Sequence, residues 1–162
     1  NTYYMKLSLF YFILFICTIA ISRIIPHPPN FTPILAVAVM APLLTGNVLL
    51  AISLSLGSMF LADLYWGLHD TIGWVYLSIA LCSLIPKYIN NAYMAGIGAS
   101  VLFFVVTNFA VWLSGYYGLT LQGLIACYIA AIPFFTNTLA STLIYILIIK
   151  SIVSIQRRIQ YA

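Results

Sequence analysis

Between Lys87 and Lys150 the chain has no Asp, Glu, Lys or Arg at all. A water-soluble fold cannot present so long an uncharged stretch without exposing broad apolar surface. A helix that crosses a bilayer needs ~20 apolar residues, so the stretch is long enough for more than one crossing. Gly115-Tyr116-Tyr117-Gly118 divides it with a turn. The rest of the chain follows suit. Of 162 residues, 6 are Lys or Arg and 2 are Asp or Glu. Charged residues make up 5%, against ~25% in a typical soluble domain. Hydrophobic residues make up 64%. These values exclude a soluble enzyme and a disordered tail. The net charge of +4 is scattered or terminal, not gathered into a stripe, so no nucleic-acid footprint is present. Inside a bilayer the backbone must satisfy itself, and long apolar runs do so as helices. The expected fold is all-α: one transmembrane domain, a polytopic helical bundle embedded in lipid.

Punctuation along the chain places the helices. Leu7 to Ile25 is the first apolar run, behind Lys6. It lacks a small-x-small cleavage site and has Arg23 where one would fall, so it reads as a span and not a signal peptide. Pro26, Pro28 and Pro29 forbid helix over 26–33. Thr32-Pro33 predicts a helix start, with a hydroxyl cap before a first-turn proline. That helix, 33–45, is too short to cross a ~30 Å core upright, so it is a short span or a re-entrant segment. Further spans are expected at 48–66, 72–85, 92–114 and 123–150, the last kinked at Pro133. Tyr3, Tyr4, Trp66, Trp74, Tyr88, Tyr93, Trp112, Tyr116 and Tyr117 sit near the expected span ends, as an interfacial belt does. Cys17, Cys82 and Cys127 each lie in apolar runs and read as small buried thiols.

Six spans place Lys6, Lys87, Lys150, Arg157 and Arg158 on one side and Arg23 alone on the other. The positive-inside rule then puts both termini in the cytoplasm. Five spans, with 33–45 re-entrant, give the same five-to-one split. Six is favoured because it brings Arg23 to the same face as Asp63, and an unpartnered intramembrane charge is costly.

On that topology the polar residues gather on the outer face: Arg23, His27, Asn30, Asp63, His69 and Asp70, with Asn108 and Trp112 four residues apart on one face of the fifth span. Arg23, His27, Asn30, Asp63, Asn108 and Trp112 form the candidate ligand-binding set. Each has a structural alternative: an Arg23–Asp63 ion pair that only locks two spans, loop histidines, asparagine as interhelical hydrogen-bonding glue, or Trp112 as a belt residue. Asn137, one turn after Pro133, is expected to be glue. Zinc on His27, His69 and Asp63 has no ligand spacing behind it. No P-loop, dinucleotide fingerprint or Ser–His–Asp spacing is present, so neither an enzyme nor a cofactor is expected. Ala92, Gly96 and Ser100, with Ala95 and Ala99, form a small-residue ridge on the fifth span. It serves internal packing or, less favoured, docking of a partner subunit.

Four segments carry a family resemblance. They are Arg23-Ile-Ile-Pro-His-Pro-Pro-Asn-Phe-Thr-Pro33 with Ala36; Asp63-Leu-Tyr-Trp-Gly67 with Val75-Tyr76; Asn108-Phe-Ala-Val-Trp112; and Gly123-Leu, Cys127-Tyr128 and Ala131-Ile-Pro-Phe-Phe-Thr-Asn137. Over about residues 20–145 the chain resembles a family of small uncharacterised bacterial membrane proteins labelled as transport proteins. Its layout is also similar to the substrate-binding (S) components of energy-coupling-factor vitamin transporters. That resemblance implies an S-component-like bundle in the bacterial inner membrane, with loop 26–33 capping an outward pocket formed with spans 3 to 6. Those components dock through alanines spaced by three on span 1, where this chain has Thr18 and Ser22. The expected function is binding or uptake of a small polar or vitamin-like solute. The alternative is a non-catalytic accessory subunit of a larger membrane complex. The expected partners are the lipid bilayer, a small-molecule solute and other membrane subunits, with no nucleic acid.

Overall fold

A computed structural model describes residues 9–68 and 70–160. Among them are six α-helices and no strand: α1 (Leu9–Ile24), α2 (Ile34–Thr45), α3 (Val48–Trp66), α4 (Ile72–Cys82), α5 (Ala92–Leu113) and α6 (Leu121–Gln160). A short 3₁₀ turn, Ile85–Lys87, follows α4. The first two residues of the expected span 1, Leu7 and Ser8, together with Tyr3, Tyr4, Lys6 and His69, lie outside the described residues.

Local chemistry explains most of the boundaries. The Asn47 side chain accepts from Leu50 N at 3.1 Å and starts α3. Asn91 accepts from Tyr93 N and Met94 N at 3.0 and 3.1 Å and starts α5. Thr120 Oγ1 accepts from Gly123 N at 3.1 Å and starts α6. One expectation needs correction. No side-chain cap opens α2, because Pro33 is already helical at φ −76° and ψ −3°. The helix α6 contains the expected span 123–150 and continues past it to Gln160. Ser151 to Gln160 contains no Gly or Pro to stop it. Its 40 residues span ~60 Å at ~1.5 Å each, about twice a ~30 Å hydrocarbon core.

The short helix α2 is the axis of the bundle. Every residue from Ile34 to Pro42 is buried, and α2 packs on α3, α4, α5 and α6. A helix enclosed on all sides needs no polar face. α3, α4, α5 and α6 surround it with their small and apolar sides inward, and α1 packs on α3. Gly96 lets α5 meet α6: a Cβ there would lie 2.5 Å from Ile146 Cδ1. Ala92, Ala95, Ala99 and Ser100 are buried alongside it, so the small-residue ridge is used up in the bundle's own packing. Cys82 and Cys127 are buried free thiols, and Cys82 Sγ donates to Ala99 O at 3.3 Å.

Outward, the molecule is apolar. Phe60, Leu64, Val101, Val105, Ile129, Phe134 and Leu147 are all exposed. Among the described residues, α3, α5 and the Leu121–Gln156 part of α6 are long and apolar enough to cross a membrane. Three such helices with apolar outer faces mark a membrane protein.

The contacts also order the two ends of the bundle. Arg23 near the end of α1 meets Asp63 near the end of α3. Tyr128 near the start of α6 donates to Val105 O in the second half of α5 at 2.7 Å. At the other end, Lys150 Nζ sits 4.5 Å from the ring centroid of Tyr93, at the start of α5. Lys87 precedes the same end of α5. The two described acids, Asp63 and Asp70, share the Arg23 end, while Lys87 and Lys150 share the opposite one.

Candidate functional site

The connection from α1 to α2 is shaped by its prolines. Phe31 N donates to Pro28 O at 2.9 Å, closing a turn with Pro29 and Asn30 in the middle. Asn30 has φ +62°, the left-handed conformation that a type II turn demands after a proline and that Asn tolerates well. His27 Nδ1 donates to Ile25 O at 2.6 Å. A carbonyl can only accept, so Nδ1 carries a proton in this bond. The turn is fastened to α6 twice. Asn137 Nδ2 donates to Pro29 O at 3.0 Å, and Ser141 Oγ donates toward Asn30 O at 3.4 Å. The Phe31 and Tyr145 rings meet at 6.3 Å between centroids.

Beneath this turn lies a cavity of about 280 Å³. Arg23 from α1 and His27, Asn30 and Thr32 from the connection supply part of its polar wall. Thr138, Ser141 and Thr142 of α6 supply the rest. Ile34, Leu35, Met59, Val75, Ile79 and Phe103 form the apolar side. A neighbouring cavity of about 290 Å³ shares Asn30, Val75 and Phe103 with the first and is lined further by Thr107, Asn108 and Tyr117. The two spaces therefore adjoin across Phe103 and Asn30.

Arg23 is the charged group of the wall. Its Nη2 lies 3.6 Å from Asp63 Oδ1, and its Nη1 donates to the Met59 sulfur. Its buried Nε has no partner among the described residues. Asp63 does not line the cavity. It is buried behind Arg23, and its Oδ2 accepts the Tyr76 hydroxyl at 2.8 Å. Trp66 Nε1 donates to Arg23 O at 3.3 Å and fixes the backbone of the same residue. Asp63, Tyr76 and Trp66 thus hold Arg23 in place, with part of its guanidinium left facing the cavity.

The candidate residues separate as follows. Arg23, His27 and Asn30 meet at the first cavity. Asp63 supports Arg23 from behind. Asn108 lies in the wall of the second cavity, its Nδ2 donating to Phe104 O at 2.8 Å. Trp112 lines neither. Its Nε1 donates to Thr120 O at 3.3 Å and its ring packs on Phe109 at 5.5 Å, so it braces the α5–α6 connection. Asn137 ties a loop to a helix, not helix to helix. Asp70 is exposed. Among the described residues no three His, Cys, Asp or Glu side chains gather as a metal site would require.

Sequence reasoning passed over the row Thr138, Ser141 and Thr142, all buried. Their spacing of three and four residues places them on one helical face. Tyr76 and Met59 were also unassigned, since a phenol and a thioether in an apolar run look like packing.

No curated protein and no solved structure matches the chain. The sequence does match a family model along nearly its whole length, residues 4–161. By that match the chain belongs to DUF6580, a family of unknown function.

Proposed function

We propose that this is an integral membrane protein that crosses the bilayer six times and binds a small polar solute from the outer face. The observation that carries this reading is the cavity under the α1–α2 connection, where Arg23, His27, Asn30 and the α6 hydroxyls share one wall. Pockets that hold small molecules are mostly apolar with a few converging polar groups, and an ionisable residue at membrane depth is a functional candidate by default. α2 is shielded from lipid by its neighbours, so its shortness is no obstacle to a span. Lys87 and Lys150 at the opposite end fit a cytoplasmic side, with both termini there. An S-component-like layout in a bacterial inner membrane accords with a loop lying over the cavity. The chain has no ATP-binding motif, so uptake would need a partner or an ion gradient. A thermal-shift screen of purified protein against a metabolite library tests the reading. A stabilising solute whose effect is lost in Arg23→Ala and weakened in Asp63→Asn supports it. No shift in wild type across the library overturns it.

A further inference from the structure

The wall of the first cavity divides by hydrogen-bonding character, and the division specifies a ligand. A guanidinium carries five N–H donors in a planar fork. In Arg23 one nitrogen faces Asp63 at 3.6 Å, beyond hydrogen-bond length. A second is given to the Met59 thioether, a weak acceptor. The third, Nε, is buried with no partner among the described residues. Buried donors are rarely left so poorly matched. Arg23 lines the cavity and keeps 23% of its side-chain exposure, and a carboxylate there would match its accessible N–H groups far better than a sulfur does.

The α6 side is the converse. Thr138 Oγ1 donates to Phe134 O at 2.8 Å and Thr142 Oγ1 to Thr138 O at 2.7 Å. Ser141 Oγ directs its proton at the carbonyls of Thr138 and Asn30, at 3.0 and 3.4 Å. Each hydroxyl has one proton, and each is already committed to a backbone carbonyl. What the row has left to offer is lone pairs. It therefore receives donors and repels an anion.

Charge balance narrows the choice. Arg23 and Asp63 cancel one another, so a simple anion would leave a net buried charge, whereas a zwitterion adds none. The volume of about 280 Å³ lies just under the ~300–1,000 Å³ of drug-sized sites. Ile34, Leu35, Val75, Ile79 and Phe103 provide an apolar surface for a side chain.

We infer that the cavity takes a small zwitterionic amino acid with an apolar side chain, its carboxylate on Arg23 and its ammonium toward Thr138, Ser141 and Thr142. The inference rests on the reading of this cavity as a solute site. It is tested on the full chain in nanodiscs by thermal shift and calorimetry. The probes are valine, leucine and phenylalanine, each with its amino amide, its decarboxylated amine and its deaminated acid, alongside neutral sugars, nucleosides and pyridine alcohols. The amino acids are expected to bind, and removing either charged end should weaken binding about tenfold or more. Arg23→Lys, which keeps the charge but not the fork, should cost a similar factor. Thr138→Val should weaken the amino acids but not the deaminated acids. Equal binding of the amides and the amino acids, or binding only of the neutral solutes, overturns the inference and leaves a solute site standing. No binding by any probe overturns it as well, and if the wider metabolite library is also silent the solute-site reading falls with it. The wild-type series decides the matter even if a variant fails to fold.

Discussion

The side-chain amide of Asn137 on α6 donates to the carbonyl of Pro29 in the α1–α2 connection at 3.0 Å. This bond joins segments from opposite ends of the sequence and holds the proline turn over the cavity. Pro29 has no backbone N–H of its own, so its carbonyl is its one hydrogen-bonding group. Asn137→Leu leaves that carbonyl without this donor and is expected to cost about 1 kcal/mol. The check is a lower unfolding midpoint together with faster proteolysis within residues 26–33. An unchanged midpoint and cleavage rate would show that the tie holds nothing.

The Arg23–Asp63 pair should behave as a unit. Asp63 is buried, while the Arg23 side chain keeps 23% of its exposure. Losing one partner of a buried pair costs about 3–5 kcal/mol, and the residual exposure of Arg23 lowers the expectation for Asp63→Leu to about 2 kcal/mol. Arg23→Met combined with Asp63→Leu should recover most of that loss, since neither charge is then stranded. Additive losses in the double variant would speak against coupling.

Tyr76→Phe removes the hydroxyl that Asp63 accepts. A hydrogen bond to a charged group is worth ~1.5–3 kcal/mol, so the midpoint should fall by an amount similar to that in Asp63→Leu. Because Tyr76 does not line the cavity, any effect on solute binding must pass through the position of Arg23. A loss of affinity for charged probes, with neutral ones unaffected, is the expected pattern.

Two glycines should respond differently to alanine. A Cβ on Gly123 would lie 2.1 Å from Gly118 O and 2.3 Å from Tyr117 O, both backbone atoms of the α5–α6 connection. That overlap cannot be relieved without moving the loop, and Gly123→Ala is expected to cost about 1–3 kcal/mol. A Cβ on Gly96 meets the tip of the Ile146 side chain at 2.5 Å. The tip can rotate, and alanine regains up to ~1 kcal/mol of helix propensity. Gly96→Ala should therefore change stability by no more than about 1 kcal/mol, and thermal melts of the two variants would rank them.

The proposed six-span topology is open to labelling. In a Cys17→Ser background the remaining thiols, Cys82 and Cys127, are buried and should resist an impermeant maleimide. Single cysteines at Pro26 and at Asn47, both exposed and separated by α2 alone, should then label from opposite sides of the membrane, Pro26 from outside and Asn47 from within. Labelling of both from the same side would refute six spans.

Much of the helix layout was legible locally. Asn47 and Asn91 are short polar side chains placed just before apolar runs, and each closes its helix start with its own side chain. Such signals act over three residues and need no tertiary partner. The helix α6 outruns the expected span because nothing between Ser151 and Gln160 breaks it. The hydroxyl row on α6 was invisible for a different reason. Thr and Ser inside a helix commonly bond back to their own carbonyls, so the residues alone do not reveal that one such face borders a cavity.

By itself the sequence determined that this chain belongs in a membrane and where its helices begin, because charge scarcity and capping act through composition and near neighbours. It also singled out Arg23 and Asp63 as partners, since neither charge is tolerable alone in an apolar setting. Only the tertiary structure decided that Asp63 stands behind Arg23 instead of beside a ligand, that Trp112 braces a loop, and that α6 hydroxyls complete the cavity wall. Those relations depend on how α3, α4, α5 and α6 turn about α2, and helix orientation is set by side-chain packing between distant segments.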